Sequence, residues 1–92
     1  MDTSKIKESL RPWVQIETWH TGHPLDSQRF HNALSDVFEL FGTQVSFNDF
    51  EEALTELVDE IYPNWEEEHK EKTIHKYSLR AENIGSYLSD TQ

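Results

Sequence analysis

The side chains that could do chemistry in this sequence are its histidines and its carboxylates. The chain has five histidines and no cysteine. His20 and His23 are spaced as H-x-x-H, and His31 follows one predicted element later. Closely spaced histidines can bind zinc or copper ions, but here Pro24 interrupts the segment and no thiolate can complete a ligand set. We therefore expect no metal site and no cofactor, and the sequence leaves open whether the three histidines converge.

The sequence contains no pattern that is typical of catalysis. Hydrolysis needs a nucleophile beside a base, or a carboxylate pair whose pKa values are driven apart by burial. The carboxylates of this chain crowd faces that the pattern predicts to be exposed. Its three glycines are isolated, so they form no glycine-rich phosphate loop. We expect that the protein is not an enzyme.

The densest charge lies between residues 49 and 68, where nine carboxylates occur without a lysine or arginine. We call these residues the acidic flank: Asp49, Glu51, Glu52, Glu56, Asp59, Glu60, Glu66, Glu67 and Glu68. The whole chain has a net charge of −10. A field of this sign repels nucleic acid and anionic membrane and attracts a basic partner. We therefore expect no direct contact with nucleic acid or membrane, and a basic, nucleic-acid-binding protein as the partner.

The spacing of these acids gives the flank a more specific interpretation. Carboxylates at i, i+3 and i+4 on a helix lie about 5–6 Å apart, which is of the order of the spacing between successive phosphates on a nucleic-acid strand. In surface character the flank resembles small acidic proteins of phages and plasmids that block restriction enzymes, CRISPR effectors or DNA-binding proteins. It is also similar to acidic immunity proteins against nuclease toxins, and Ile61-Tyr62-Pro63 resembles the Tyr-Pro corner of colicin immunity proteins. These resemblances imply an inhibitor of phage or bacterial origin that mimics nucleic acid.

Two aromatic residues beside the flank are candidates for contact with the partner. Tyr62 and Trp65 lie next to charged residues, as binding anchors often do. They lie on either side of Pro63 and would equally suit a role as core residues that fill the space at a helix junction. The alternative function is a homodimeric structural or regulatory protein whose acidic face only keeps it soluble.

The element that must position most of these residues is a helix predicted over residues 47–61. Ser46 can cap its start, with Asn48 as a competing cap, and Val45 and Phe50 occupy the positions of a hydrophobic staple. Pro63 should end it, because proline lacks an N–H and disfavours a helical residue before it. Its apolar residues recur at three- and four-residue steps and predict a single buried stripe: Phe47, Phe50, Leu54, Leu57, Val58 and Ile61.

Three further helices are predicted over residues 4–12, 27–41 and 65–84. Pro12 should interrupt the first, Asp26 or Ser27 should begin the next, and Asn64 should cap the last. Gly85 either ends or weakens the last helix, and residues 89–92 should fray. Residues 13–19 fit both a helix and an alternating strand, and helix or irregular structure is favoured. We expect a small all-α domain of three or four helices, with or without a short irregular or β-like N-terminal segment.

Length and composition place the whole chain in one class. Its 92 residues fit a single acidic helical domain spanning residues 1–92. The first residues contain no apolar signal region, and no run approaches the length of a membrane span. We expect a soluble, cytoplasmic protein.

Overall fold

Within the residues that the structure describes, the protein folds as a four-helix, all-α structure, as the sequence predicts. The computed structural model describes residues 3–21, 23–41 and 46–90, with side chains for all of these except residues 40, 41 and 85–90. The helices are α1 (Thr3–Val14), α2 (Pro24–Phe41), α3 (Phe47–Ile61) and α4 (Glu67–Asp90). These described ranges contain no strand. The β-like alternative for residues 13–19 is wrong, because α1 extends through residue 14 and residues 15–21 form turns.

Helix α3 has the bounds that its local signals predict. The Ser46 hydroxyl accepts a hydrogen bond from the backbone N–H of Asp49 at 3.1 Å, so the competing cap at Asn48 is wrong. At the other end the amide of Tyr62 donates to the Val58 carbonyl, immediately before Pro63. Phe50, Leu54, Leu57 and Val58 are buried, as is Ala53 between them, while Phe47 and Ile61 are half-buried. The proposed staple partner Val45 lies outside the described residues.

Helix α1 continues through Pro12, although we expected the proline to interrupt it. Proline removes one backbone hydrogen bond from the helix. The next two residues, Trp13 and Val14, are fully buried in the core. Their burial offsets the lost bond, since a buried large apolar side chain is worth about 1.5–3 kcal/mol. The Gln15 amide donates to the Arg11 carbonyl at 2.9 Å and closes the last turn.

Helix α2 begins at Pro24, earlier than the predicted start at Asp26 or Ser27. His23 is the cap: its imidazole Nδ1 accepts a hydrogen bond from the Leu25 amide at 3.2 Å, and its carbonyl accepts from the amides of Asp26 and Ser27. Pro24 suits the first helical position, where no N–H is needed. Asp26 is consequently inside the first turn, where it is 2% exposed and forms an ion pair with Arg29 at 2.7 Å.

Helix α4 begins later and ends later than predicted. The Trp65 amide donates to the Tyr62 carbonyl at 3.2 Å, so residues 62–65 form a separate turn and Asn64 does not cap the helix. The first helical bond runs from the Lys70 amide to the Glu66 carbonyl. The helix then passes Gly85 and reaches Asp90. A single glycine costs only about 1 kcal/mol relative to alanine, which does not end a helix of this length.

The core is built around an aromatic cluster of Trp13, Trp19, Phe30 and Tyr77, all of them buried. Helix α1 packs against both α2 and α3, and α3 packs against α4. The ring of Trp13 lies 4.7 Å from Phe30, 5.0 Å from Trp19 and 5.1 Å from Tyr77, measured between centroids. These contacts join α1, α2, α4 and the loop of residues 15–21. The aliphatic stripe of α3 completes the same core.

We predict that Leu54→Ala lowers the free energy of unfolding by about 2–5 kcal/mol, because it leaves a cavity in a fully buried site. Urea denaturation followed by circular dichroism measures this change. Leu79→Ala is the matched control, since Leu79 is 41% exposed; it should cost at most about 0.5–1 kcal/mol. Equal losses in the two variants would contradict the orientation of α3 described above.

Candidate partner-binding surface

The acidic flank occupies the outer face of α3 and the start of α4. The apolar stripe of α3 faces the core, so the carboxylates between its members point outward. Asp49 and Glu51 are half-buried, and the other seven members of the flank are exposed: Glu52, Glu56, Asp59, Glu60, Glu66, Glu67 and Glu68. Asp49 lies in the first turn of α3, where a negative charge is favourable near the helix N-terminus.

Basic residues of α1 neutralise one edge of this surface. Glu60 forms ion pairs with Arg11 at 3.3 Å and with Lys7 at 3.5 Å, and Arg11 also contacts Glu8 at 3.0 Å. Hydrogen bonds from Arg11 to Glu8 and then to Glu60 raise the pKa of the guanidinium. Glu60 is therefore engaged within the protein and contributes little free negative charge to a partner.

Basic residues of α4 neutralise a second edge. The Lys70 ammonium lies 2.7 Å from Asp59 and 3.0 Å from Glu67, and Lys72 lies 3.0 Å from Glu68. Hydrogen bonds to Asp59 and then to Glu67 raise the pKa of Lys70 and keep it charged. Lys70 thus connects α3 to α4 across the surface. Of the two i, i+4 pairs that the spacing predicts, Glu68–Lys72 forms. The other, Glu66–Lys70, does not, because Lys70 pairs with Asp59 and Glu67 instead.

Among the carboxylates that no described lysine or arginine pairs with, Glu52 and Glu56 form an acidic stripe on α3. Glu52, Glu56 and Glu66 make no ion pair with any described residue, and Glu51 lies 3.9 Å from the His75 imidazole. Glu52 and Glu56 are one turn apart on the solvent side of α3, and Asp59 continues the same face. The strongest negative field of the flank is therefore expected along the middle of α3 and not at its two edges.

The two predicted aromatic anchors are part of the intramolecular packing. The Tyr62 hydroxyl donates a hydrogen bond to the Val14 carbonyl at 2.7 Å, and its ring stacks on Trp65 at 5.4 Å. Trp65 in turn stacks on Trp19 at 5.6 Å with an interplanar angle of 7°. Burial, and then the charge of Glu17, raise the pKa of Tyr62. Both aromatic residues are half-buried, so they plug the α3–α4 junction and present only part of their surface to solvent.

Sequence reasoning missed a groove between α3 and α4. Its volume is about 550 Å³, and its lining residues are Glu51, Thr55, Glu67, Lys70, Glu71, Lys72, Ile74 and His75. His75 is exposed, and its ring contacts Phe47 at 5.6 Å between centroids. The pairing of α3 with α4 creates the groove, and no local motif in the sequence marks it.

The three histidines singled out by their spacing do not form one cluster. His20 contacts Trp65 and His69, His23 caps α2, and His31 contacts Phe30. Within the described ranges, no group of three or more histidine, aspartate or glutamate side chains could hold a metal ion.

No helix in those ranges is long and apolar enough to cross a membrane.

The comparisons with known proteins give no relative for this arrangement. No protein-family model, curated protein or solved structure matches the chain. The function must therefore be argued from the surface itself.

We predict that Tyr62→Phe lowers the free energy of unfolding by about 0.5–1.5 kcal/mol, because it removes the hydrogen bond to the Val14 carbonyl. Tyr77→Phe is the matched comparison. Its hydroxyl lies 3.4 Å from the Trp19 carbonyl, beyond the usual range for such a bond, so its loss should be smaller. Chemical denaturation of both variants measures the difference, and a larger loss for Tyr77→Phe would contradict this assignment.

Proposed function

We propose that this protein is a non-catalytic, acidic protein-binding module that occupies a basic surface of a nucleic-acid-handling protein and thereby inhibits it. The observation that carries the proposal is the stripe on α3, where Glu52 and Glu56 are exposed without an ion pair among the described residues. A net charge of −10 supports the same conclusion, because it attracts basic partners over long range.

The spacing of the stripe supports mimicry of nucleic acid. Carboxylates one turn apart lie about 5–6 Å from each other, so a basic groove that contacts successive phosphates can contact Glu52 and Glu56 instead. Asp59 is 54% exposed and can extend the series beyond its bond to Lys70. Such contacts should give fast, salt-sensitive association, as expected when complementary charges steer two proteins together.

The rigid placement of the stripe also favours binding. α3 is capped by Ser46 and buries its apolar side in the core, so its carboxylates start from a fixed backbone. Binding then costs little ordering of the main chain. The ion pairs of Glu60 with α1 and of Asp59 with α4 neutralise the edges of the flank and limit the free charge to the middle of α3.

The alternative, a homodimer with a solubilising acidic face, draws on two exposed leucines. Leu25 on α2 and Leu79 on α4 are 59% and 41% exposed, and they are the large hydrophobic side chains exposed in the described part of the chain. A stable interface usually buries about 1,200–2,000 Å² in total with an apolar centre. Two leucines supply little of that area. Light scattering over a concentration series distinguishes a 10.9 kDa monomer from a dimer.

We predict that replacing both Glu52 and Glu56 by lysine abolishes capture of the partner, because the free carboxylates of the stripe become positive. The tagged protein is incubated with host lysate at low and at high salt, and captured proteins are identified by mass spectrometry. The wild type should retain a basic nucleic-acid-binding protein at low salt and lose most of it at high salt. Circular dichroism should show the same helix content in wild type and variant.

Asp36→Lys with Glu39→Lys is the charge-matched control for this experiment. Both residues are exposed on α2, away from the flank, and neither makes an ion pair with a described residue. The two double variants change the net charge by the same amount, so a non-specific charge effect would weaken both. If the stripe binds the partner, the control variant captures the partner and the α3 variant does not. Capture by both, or by neither, would contradict a role for the stripe.

A further inference from the structure

A second cluster lies where the loop of residues 15–21 meets the junction of α3 and α4. The ring of His20 lies 4.7 Å from Trp65 and 5.5 Å from His69, between centroids, and Trp65 lies 4.7 Å from His69. Three rings from separate segments therefore contact one another. His20 also packs edge-on against the buried Trp19 at 5.6 Å, which connects the cluster to the core.

The charges around His20 come from several elements. His69 lies on α4, Glu17 on the same loop as His20, and Asp26 on α2. Burial, and then the neighbouring His69, lower the pKa of His20 below its ordinary value of 6.5, against smaller opposing effects of Asp26 and Glu17. The arrangement thus favours a neutral His20 imidazole.

We infer that the His20–Trp65–His69 contact is a pH-sensitive clasp that holds the loop of residues 15–21 to the start of α4 when the His20 imidazole is neutral. Protonation of His20 would place a positive charge on a half-buried ring, and the loss of surrounding water disfavours that charged form. Acid therefore weakens the clasp. This role is independent of the acidic stripe on α3 and does not require the proposed partner.

The direction of the effect follows from proton binding. His20 has a lower pKa in the folded than in the unfolded chain, so the unfolded chain binds the proton first as pH falls. The stability that neutral His20 contributes is present above 6.5 and is lost as pH falls through the lowered pKa of the folded state. The clasp therefore weakens on acidification below 6.5 and is closed at neutral pH.

The test is an NMR titration of the histidine ring protons between about pH 8 and about pH 5. We expect His20 to titrate below 6.5 and the Trp65 indole resonance to shift with the same midpoint. In His69→Gln the midpoint of His20 should move upward, because one of the two causes of its lowered pKa is gone. His69 is exposed, so this variant should fold.

His31→Gln is the control, because His31 contacts Phe30 on α2 and lies outside the clasp. It removes one histidine and should leave the midpoint of His20 unchanged. As a second readout, the thermal midpoint of His20→Gln should fall less on acidification than that of the wild type or of His31→Gln. A His20 midpoint at or above 6.5, or one unmoved in His69→Gln, would overturn the inference.

Discussion

The contact on which the rest of this structure depends is the packing of the Trp13 ring. It contacts Phe30 of α2, Trp19 of the following loop and Tyr77 of α4, so one side chain of α1 joins three other segments. Only 35% of the chain is hydrophobic, and large aromatic rings compensate because each buries about 150–250 Å². The packing is strong enough to extend α1 past Pro12. It also accommodates the indole N–H groups of Trp13 and Trp19, which are buried without an acceptor among the described protein atoms.

The packing of the helices around this core determines which carboxylates of the acidic flank form ion pairs within the described part of the protein. Because α1 and α4 both pack beside α3, their basic side chains reach its edges and form ion pairs with Glu60 and Asp59. Lys70 also pairs with Glu67 of its own helix. The middle of α3 lies beyond that reach, and Glu52 and Glu56 form no ion pair with a described residue. Surface ion pairs of this kind add little stability, about 0–1 kcal/mol each. Their main consequence is to confine the negative field to one stripe.

The sequence predicted elements whose boundaries depend on local interactions and missed those that depend on packing. Helix α3 has its expected bounds because its cap at Ser46 and its stop at Pro63 act through neighbouring residues. The cap at His23 is local, but histidine is not one of the residues preferred at a helix start, so the pattern favoured Asp26 or Ser27. The continuation of α1 and the turn over residues 62–65 accompany the burial of rings that contact distant parts of the chain, which a local pattern does not show. The same holds for the surface. The flank was visible as a run of acids, but the pairing of Glu60 with Lys7 and Arg11 joins residues about fifty positions apart.

The proposed function requires that this protein and nucleic acid compete for one basic surface of the partner. The most direct measurement is a competition assay with the captured partner, in which labelled oligonucleotide is titrated against the preformed protein complex at fixed salt. We expect mutual exclusion: the oligonucleotide displaces this protein from the partner, and the excess of oligonucleotide needed rises with the concentration of this protein. A stable ternary complex, with both bound to the partner at once, would contradict it.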